Sequence, residues 1–153
     1  MVGLKILDDF TITIGENLDE LIAKLNEKEV KFNVPYKGGS DKNQNMILFI
    51  ETFGVEINAE NKLVSFIKSN NGELNYITNV SNLKPVFALR NMMSKTAELF
   101  DVEESVLRLD RFESNTMTTL LSVPYSKDKK VKITLIKGAH GNVYLETMEL
   151  INY

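Results

Sequence analysis

The chain has no cysteine, no tryptophan and a single histidine among its 153 residues. Without cysteine it can form no disulfide, thiolate-bound zinc site, iron–sulfur cluster or thiol nucleophile. The histidine, His140, lies in residues 138–142, whose glycines and asparagine are typical of a turn. A catalytic histidine needs a nucleophile and an orienting acid, and a metal site needs several ligands. The sequence therefore predicts no catalytic residue, no metal site and no cofactor.

Proline, glycine and long apolar runs are also scarce. Three prolines and eight glycines leave no room for a long linker. No stretch approaches the roughly 18 consecutive apolar residues that predict a membrane-spanning helix. The apolar residues 1–7 are too short for the core of a signal peptide, and Asp8 and Asp9 follow them. We therefore expect a cytoplasmic protein that does not insert into a membrane.

The charge balance is slightly acidic. Eighteen Lys and Arg residues stand against twenty-one Asp and Glu residues, which gives a net charge of −3. Only three of the basic residues are arginines, the type best suited to binding phosphates, and the one dense basic run, 127–132, is interrupted by Asp128. A nucleic-acid-binding domain usually presents a basic face. We therefore expect a protein partner and no nucleic acid.

Apolar residues at helical spacing predict three helices, over residues 17–28, 81–100 and 101–111. Asn17 and Asp101 each precede an acidic residue by three positions, the pattern of a capping box at a helix start. The sequence thus predicts two short amphipathic helices and one longer one.

Alternating apolar and polar residues predict antiparallel strands between these helices. The predicted strands cover residues 10–14, 30–34, 46–52, 55–57, 63–68, 74–77, 116–123, 131–136 and 143–151. Strict alternation within 63–68 puts Val64 and Phe66 on one face of the strand. Residues 37–45 are polar and contain two glycines, which favours a loop.

Two pairs of segments match each other along the chain. Residues 17–26 resemble residues 101–110, and Val34-Pro35-Tyr36 recurs as 123–125. A polar loop and a predicted hairpin follow each triplet. The matches predict an internal duplication.

We therefore predict an α+β fold in a single domain, residues 1–153, made of two related units at 8–78 and 81–153. Each unit is a helix plus an antiparallel β-hairpin, with the helices packed on one face of an antiparallel sheet. One such unit alone buries too little apolar surface to be stable.

The first unit leads from Gly15 into a short helix and then into a hairpin that contains 55–57 and 62–67. It resembles the helix-then-hairpin repeat of small outer-membrane-assembly lipoproteins over residues 12–68, and more loosely over 99–151. The lipid-attached cysteine of that family is absent. In size, acidity and lack of catalytic motifs the chain also resembles small bacterial toxin-immunity proteins, which are cytosolic inhibitors on a similar two-layer module.

This resemblance implies a non-catalytic protein-binding module, an immunity or inhibitor protein that neutralises a basic toxin. Acidic residues would steer a basic partner, and a tyrosine at a strand end offers contact area at low entropic cost. The candidate partner-binding residues are Asp8, Asp9, Tyr36, Glu51, Glu56, Glu60 and Tyr125. For the two tyrosines, packing at the sheet edge is the alternative interpretation.

An alternative function is a small-molecule-binding protein or enzyme with a pocket between the two units. Such a pocket would be closed and would bring polar groups together, among them His140, Arg90 or Arg111. A filled core beneath an exposed sheet would instead favour the protein-binding hypothesis.

Overall fold

A computed structural model describes residues 2–113 and 115–153, and its main feature is one antiparallel sheet of nine strands accompanied by three α-helices in the part described. The helices are α1 Leu18–Glu27, α2 Gly72–Asn75 and α3 Pro85–Phe100. The strands are β1 Gly3–Leu7, β2 Phe10–Thr13, β3 Asn33–Gly38, β4 Asn45–Ile50, β5 Val55–Glu60, β6 Leu63–Ser69, β7 Tyr76–Asn79, β8 Arg108–Arg111, β9 Thr118–Pro124, β10 Lys129–Lys137 and β11 Asn142–Asn152. The fold is therefore mixed α/β and antiparallel, as predicted, and more dominated by sheet than expected.

The nine-stranded sheet has the order β3-β4-β5-β6-β11-β10-β9-β8, and β7 also pairs with β11. The first four and the last four strands each run in sequence order toward the centre. They meet where Phe66–Lys68 of β6 pairs with Thr147–Glu149 of β11. β1 and β2 form a separate two-stranded hairpin.

One face of the large sheet is buried. On β4 the side chains of Met46, Leu48 and Ile50 are buried, whereas Ile47 and Phe49 are only partly so. Strand pairing extends this alternation across the sheet, because residues opposite each other share a face. A continuous buried row runs through Leu48, Ile57, Ile67, Met148, Ile133 and Leu121.

The helices and the β1–β2 hairpin form the layer that covers this face. Leu18, Leu21 and Leu25 of α1 have no exposed surface and belong to the same core cluster as the buried row. Ile12 of β2 and Met92 of α3 lie in that cluster as well. Each fully buried aliphatic side chain contributes about 1.5–3 kcal/mol to stability. The core is thus a single layer between the sheet and its cover.

The start of α1 agrees with the sequence pattern. The Asn17 side chain accepts hydrogen bonds from the backbone N–H groups of Asp19, at 2.9 Å, and Glu20, at 3.3 Å. The second predicted helix is also present, although it begins at Pro85 rather than at residue 81. Proline suits a first helical turn, where the missing N–H has no partner to lose.

The predicted helix over 101–111 is wrong. Asp101 adopts a left-handed conformation, with φ of 52°, and ends α3. The N–H of Val102 then bonds the Ala97 carbonyl, and the Asp101 N–H bonds that of Glu98. These two hydrogen bonds form a Schellman motif, which ends α3. A second helix therefore does not begin at Asp101. The chain continues as a short 3₁₀ turn, Glu104–Val106, and then as β8.

The segments that suggested a duplication occupy unlike elements. Residues 17–26 form α1, whereas 101–110 contain a turn and most of β8. Val34-Pro35-Tyr36 lies in the edge strand β3, while residues 123–125 end β9, which is not an edge strand. A duplicated-unit arrangement is therefore not shown by the matched segments.

Two further boundaries differ from the prediction for physical reasons. The strand predicted at 30–34 lies at Asn33–Gly38, because a proline such as Pro35 is tolerated in an edge strand that has one unpaired side. Residues 3–7, which were not predicted as a strand, pair with β2 and shield the core.

A buried asparagine bridges the gap between β6 and β7 along the edge of β11. β6 and β7 both pair with the same edge of β11, and α2 separates them in sequence. Asn75 in α2 is 5% exposed, and its Nδ2 donates to the Ser69 carbonyl at 2.9 Å and to the Leu145 carbonyl at 2.7 Å. Leu145 lies on β11 between the two paired segments, where neither β6 nor β7 pairs with this edge in the described structure.

We predict that Asn75→Ala lowers the free energy of unfolding by about 1–3 kcal/mol, because it removes the donor that serves two buried carbonyls. Asn70→Ala, at an exposed neighbouring position, is the matched control and should change stability by less than about 0.5 kcal/mol. Urea denaturation followed by circular dichroism measures both. Equal stability of the two variants would contradict this role for Asn75.

Candidate functional site

The second face of the large sheet carries no covering element within the described residues, and we call it the open face. Register places one row of its side chains across eight strands. The row consists of Tyr36, Ile47, Asn58, Phe66, Glu149, Lys132, Ser122 and Arg108. Antiparallel sheets commonly leave one face to solvent, and such a face is usually polar. This face is only partly polar.

Three apolar side chains of the open face lie on β4 and β6, and the other half of this face carries Leu120 of β9 and Ile136 of β10. Ile47, Phe49 and Phe66 are all half-buried, without any element above them in the described structure. None of the three was predicted from the sequence as a site residue. Residues 46–50 are uniformly apolar, so their sequence alone does not distinguish the buried face from the open one.

The predicted grouping of Val64 with Phe66 on one face is wrong. Asn58 is opposite Phe66 and Ala59 is opposite Val64, so Ser65 is an extra residue in β6. Such a bulge reverses the alternation. Val64 and Ile67 therefore both point into the core, and Phe66 moves to the open face. No signal in the sequence marks this bulge.

Charges are distributed unevenly over the open face. In the half formed by β8–β11, Lys130 pairs with Asp110 at 3.3 Å, and Lys132 lies 3.9 Å from Glu149. In the half formed by β3–β6, neither Glu56 nor Glu60 has an ion-pair partner among the residues described. This second half, which we call the N-terminal half of the open face, thus combines apolar surface with unpaired carboxylates.

Three of the predicted partner-binding residues lie in this half. Tyr36 is directly opposite Ile47, and Glu56 and Glu60 flank Asn58 on the same side of β5. The structure therefore brings Tyr36, Glu56 and Glu60 onto one surface. Sequence spacing suggested the residue types but not that they meet.

The other predicted acidic residues lie elsewhere. Glu51 begins the 3₁₀ turn that follows β4, beyond the end of the strand. Asp8 and Asp9 form the turn between β1 and β2, in the covering layer. The side chain of Lys28 donates to Asp9, and this contact holds the pKa of the Asp9 carboxyl below its ordinary value. These three residues are not part of the open face.

Tyr125 packs against the chain itself. Gly15 has φ of +89°, and a Cβ built there would lie 2.1 Å from the Tyr125 Oη. The ring thus rests on the backbone between β2 and α1, although 45% of the residue is exposed. This contact agrees with the packing interpretation of Tyr125.

The residues of the alternative pocket do not converge. His140 lines an open groove of about 430 Å³ together with Lys137. Arg111 lines a different depression, of about 280 Å³, with Thr118 and Leu120. Arg90 is exposed on α3 and lines neither of them.

The described residues form neither a metal-binding cluster nor a membrane-spanning helix. Residues 2–113 and 115–153 contain no group of three His, Cys, Asp or Glu side chains placed to hold a metal ion. Over the same residues no helix has the length and apolar character required to cross a membrane.

A groove lies on the N-terminal half of the open face. Its volume is about 270 Å³. Tyr36 of β3 forms one wall and Asn58 and Glu60 of β5 form the other, with Asn45 and Ile47 of β4 between them. The Asn58 Oδ1 is buried and has no hydrogen-bond partner in the described structure.

We predict that Gly15→Ala lowers the free energy of unfolding by about 1–2 kcal/mol from the left-handed conformation alone, and by more because of the Tyr125 ring. In a Tyr125→Ala background the same substitution should be less destabilising. Chemical denaturation of the four proteins of this double-mutant cycle gives the coupling energy. A coupling energy of zero would show that the ring does not rest on Gly15.

Comparison of the chain with protein-family models, with curated proteins and with solved structures finds no match. The resemblance to toxin-immunity proteins therefore stays a prediction.

Proposed function

We propose that the chain is a non-catalytic protein-binding module of the bacterial immunity or toxin-inhibitor type, and that it binds its partner with the N-terminal half of the open face. The observation that carries this proposal is the cluster of Ile47, Phe49 and Phe66 on an uncovered part of the sheet. Partly exposed apolar surface with a polar rim is typical of protein interaction sites.

The charges around the cluster favour a basic partner. Glu56 and Glu60 lie beside the apolar side chains and form no ion pair in the described structure. Lys68 of β6 is opposite Glu56 and partly compensates its charge, so Glu60 offers the less compensated carboxylate to a ligand. Complementary charge on a partner would accelerate association and exclude acidic competitors. A protein that neutralises a toxin benefits from fast association, because the toxin acts until it is bound.

The packed core on the covered face of the sheet supports the same conclusion. The covered face holds a filled core that includes Leu48, Ile57 and Ile133, each with no exposed surface. The open face is therefore supported by a rigid layer and can present its side chains in fixed positions. Interfaces with preorganised side chains lose less entropy on binding.

We predict that Phe66→Glu weakens binding to the product of the adjacent gene, the expected toxin, by about tenfold or more, because an apolar anchor becomes a charge at the centre of the contact. Phe87→Glu is the matched control. Phe87 is a phenylalanine of the covering layer that is 51% exposed, and its substitution should leave the affinity within about twofold. Isothermal titration calorimetry measures both affinities, and thermal unfolding confirms that each variant is folded.

A second pair of variants tests whether the acidic residues of the open face accelerate association with the partner. Glu56→Lys should slow association with the same partner, and Glu27→Lys, at an exposed position on α1, should not. Stopped-flow fluorescence at low ionic strength gives the association rates. The proposal would be overturned if Glu56→Lys and Glu27→Lys changed the association rate equally, or if the chain did not bind the adjacent gene product.

A further inference from the structure

The groove on the N-terminal half of the open face has the width of a single strand. Tyr36 and Asn58 lie on strands β3 and β5, which are separated by β4. Neighbouring strands are about 4.7–4.9 Å apart, so the two walls rise from backbones about 9–10 Å apart. Ile47 of β4 projects between Tyr36 and Asn58 on the same face, so a planar group bound here lies on top of Ile47 and against the longer Tyr36 side chain.

One wall of the groove is an aromatic ring held along its strand. A Cβ built at Gly38 would lie 2.4 Å from the Tyr36 Oη, so the ring leans along β3 over the glycine. Any larger residue at position 38 would displace it. Tyr36 is nevertheless 52% exposed, which leaves part of its surface to a ligand. An aromatic face attracts cations, and guanidinium groups stack on it.

The other wall offers hydrogen-bond acceptors. Asn58 Oδ1 has no donor in the described structure, and rotation about the χ2 torsion of an asparagine is soft enough to turn it toward the groove. Glu60 is two residues further along the same side of β5 and forms no ion pair with a described residue. On the floor, Asn45 Oδ1 already accepts from the Asn61 N–H at 3.0 Å and is therefore occupied as an acceptor. The free acceptors of this wall, one of them a carboxylate, therefore favour a ligand that supplies donors and positive charge.

We propose that this groove is the recognition site for an arginine side chain of the partner protein, an inference that rests on the proposed function. The guanidinium stacks on Tyr36 and donates to Asn58 Oδ1 and to the Glu60 carboxylate. Its planar fork of five donors suits two acceptors on one wall, whereas the compact ammonium of lysine reaches fewer of them and stacks less well. The neighbouring Phe66 and Ile47 would then surround the arginine with apolar contacts.

The test is a titration of the ¹⁵N-labelled chain with Nα-acetyl-arginine amide, followed by two-dimensional NMR. The expected shifts are confined to the amides of β3–β5 around the groove and to the Asn58 side-chain amide. Nα-acetyl-citrulline amide, which has the same shape without the charge, and Nα-acetyl-lysine amide are the control ligands. Both should bind at least about fivefold more weakly than the arginine probe.

Two variants test whether each wall of the groove contributes to binding of the arginine probe. Glu60→Gln and Tyr36→Leu should each weaken binding of the arginine probe by about fivefold or more. Glu51→Gln removes a charge beyond the other end of the strands and should have no effect. Because Tyr36 and Glu60 are exposed, both variants are expected to fold, and their spectra show whether they do.

The outcomes separate this inference from the proposed function. If the arginine probe shifts no groove resonance, or if citrulline or lysine binds as well, the arginine site is overturned. Partner binding that still depends on Phe66 would in that case leave the proposed function standing. If the probe binds as expected but Phe66→Glu does not weaken partner binding, the proposed function fails and a free arginine site remains.

Discussion

The pairing of β6 with β11 is the interaction on which the rest of the structure depends. Through only three residue pairs, Phe66–Lys68 with Thr147–Glu149, it joins the strands of the two halves of the chain into one sheet. Because paired residues share a face, the buried side of each half becomes one continuous surface, and so does the open side. The interruption after β6 is bridged by Asn75, whose amide bonds both Ser69 and Leu145. A single core and a single open face follow from this junction.

Local patterns predicted the elements whose stability is local. The Asn17 cap and the leucine spacing after it placed α1 correctly, and alternation located most strands. The wrong helix prediction over residues 101–111 also has a local cause. An acidic residue three positions before another acid is compatible with a helix start, but Asp101 instead adopts the left-handed conformation that ends α3. Both structures satisfy the same spacing, so the pattern could not choose between them.

The site could be predicted only in part, because it depends on strand order and register. Sequence reasoning selected Tyr36, Glu56 and Glu60, which pairing through β4 and β5 brings together. It could not select Ile47 from the uniformly apolar β4, nor Phe66, whose face is set by the bulge at Ser65. Acidic character alone also chose Asp9, which serves an ion pair in the covering layer. The charge of a surface residue therefore does not predict a binding role unless the face that carries the residue is known.

We propose the N-terminal half of the open face as the surface that binds a protein partner. NMR cross-saturation from the unlabelled product of the adjacent gene to the isoleucine methyl groups of this chain tests it most directly. We expect strong saturation transfer to Ile47 on the open face and none to Ile22, which packs against the core from α1. Transfer to Ile22 without transfer to Ile47 would place the interface on the covering layer and contradict the account.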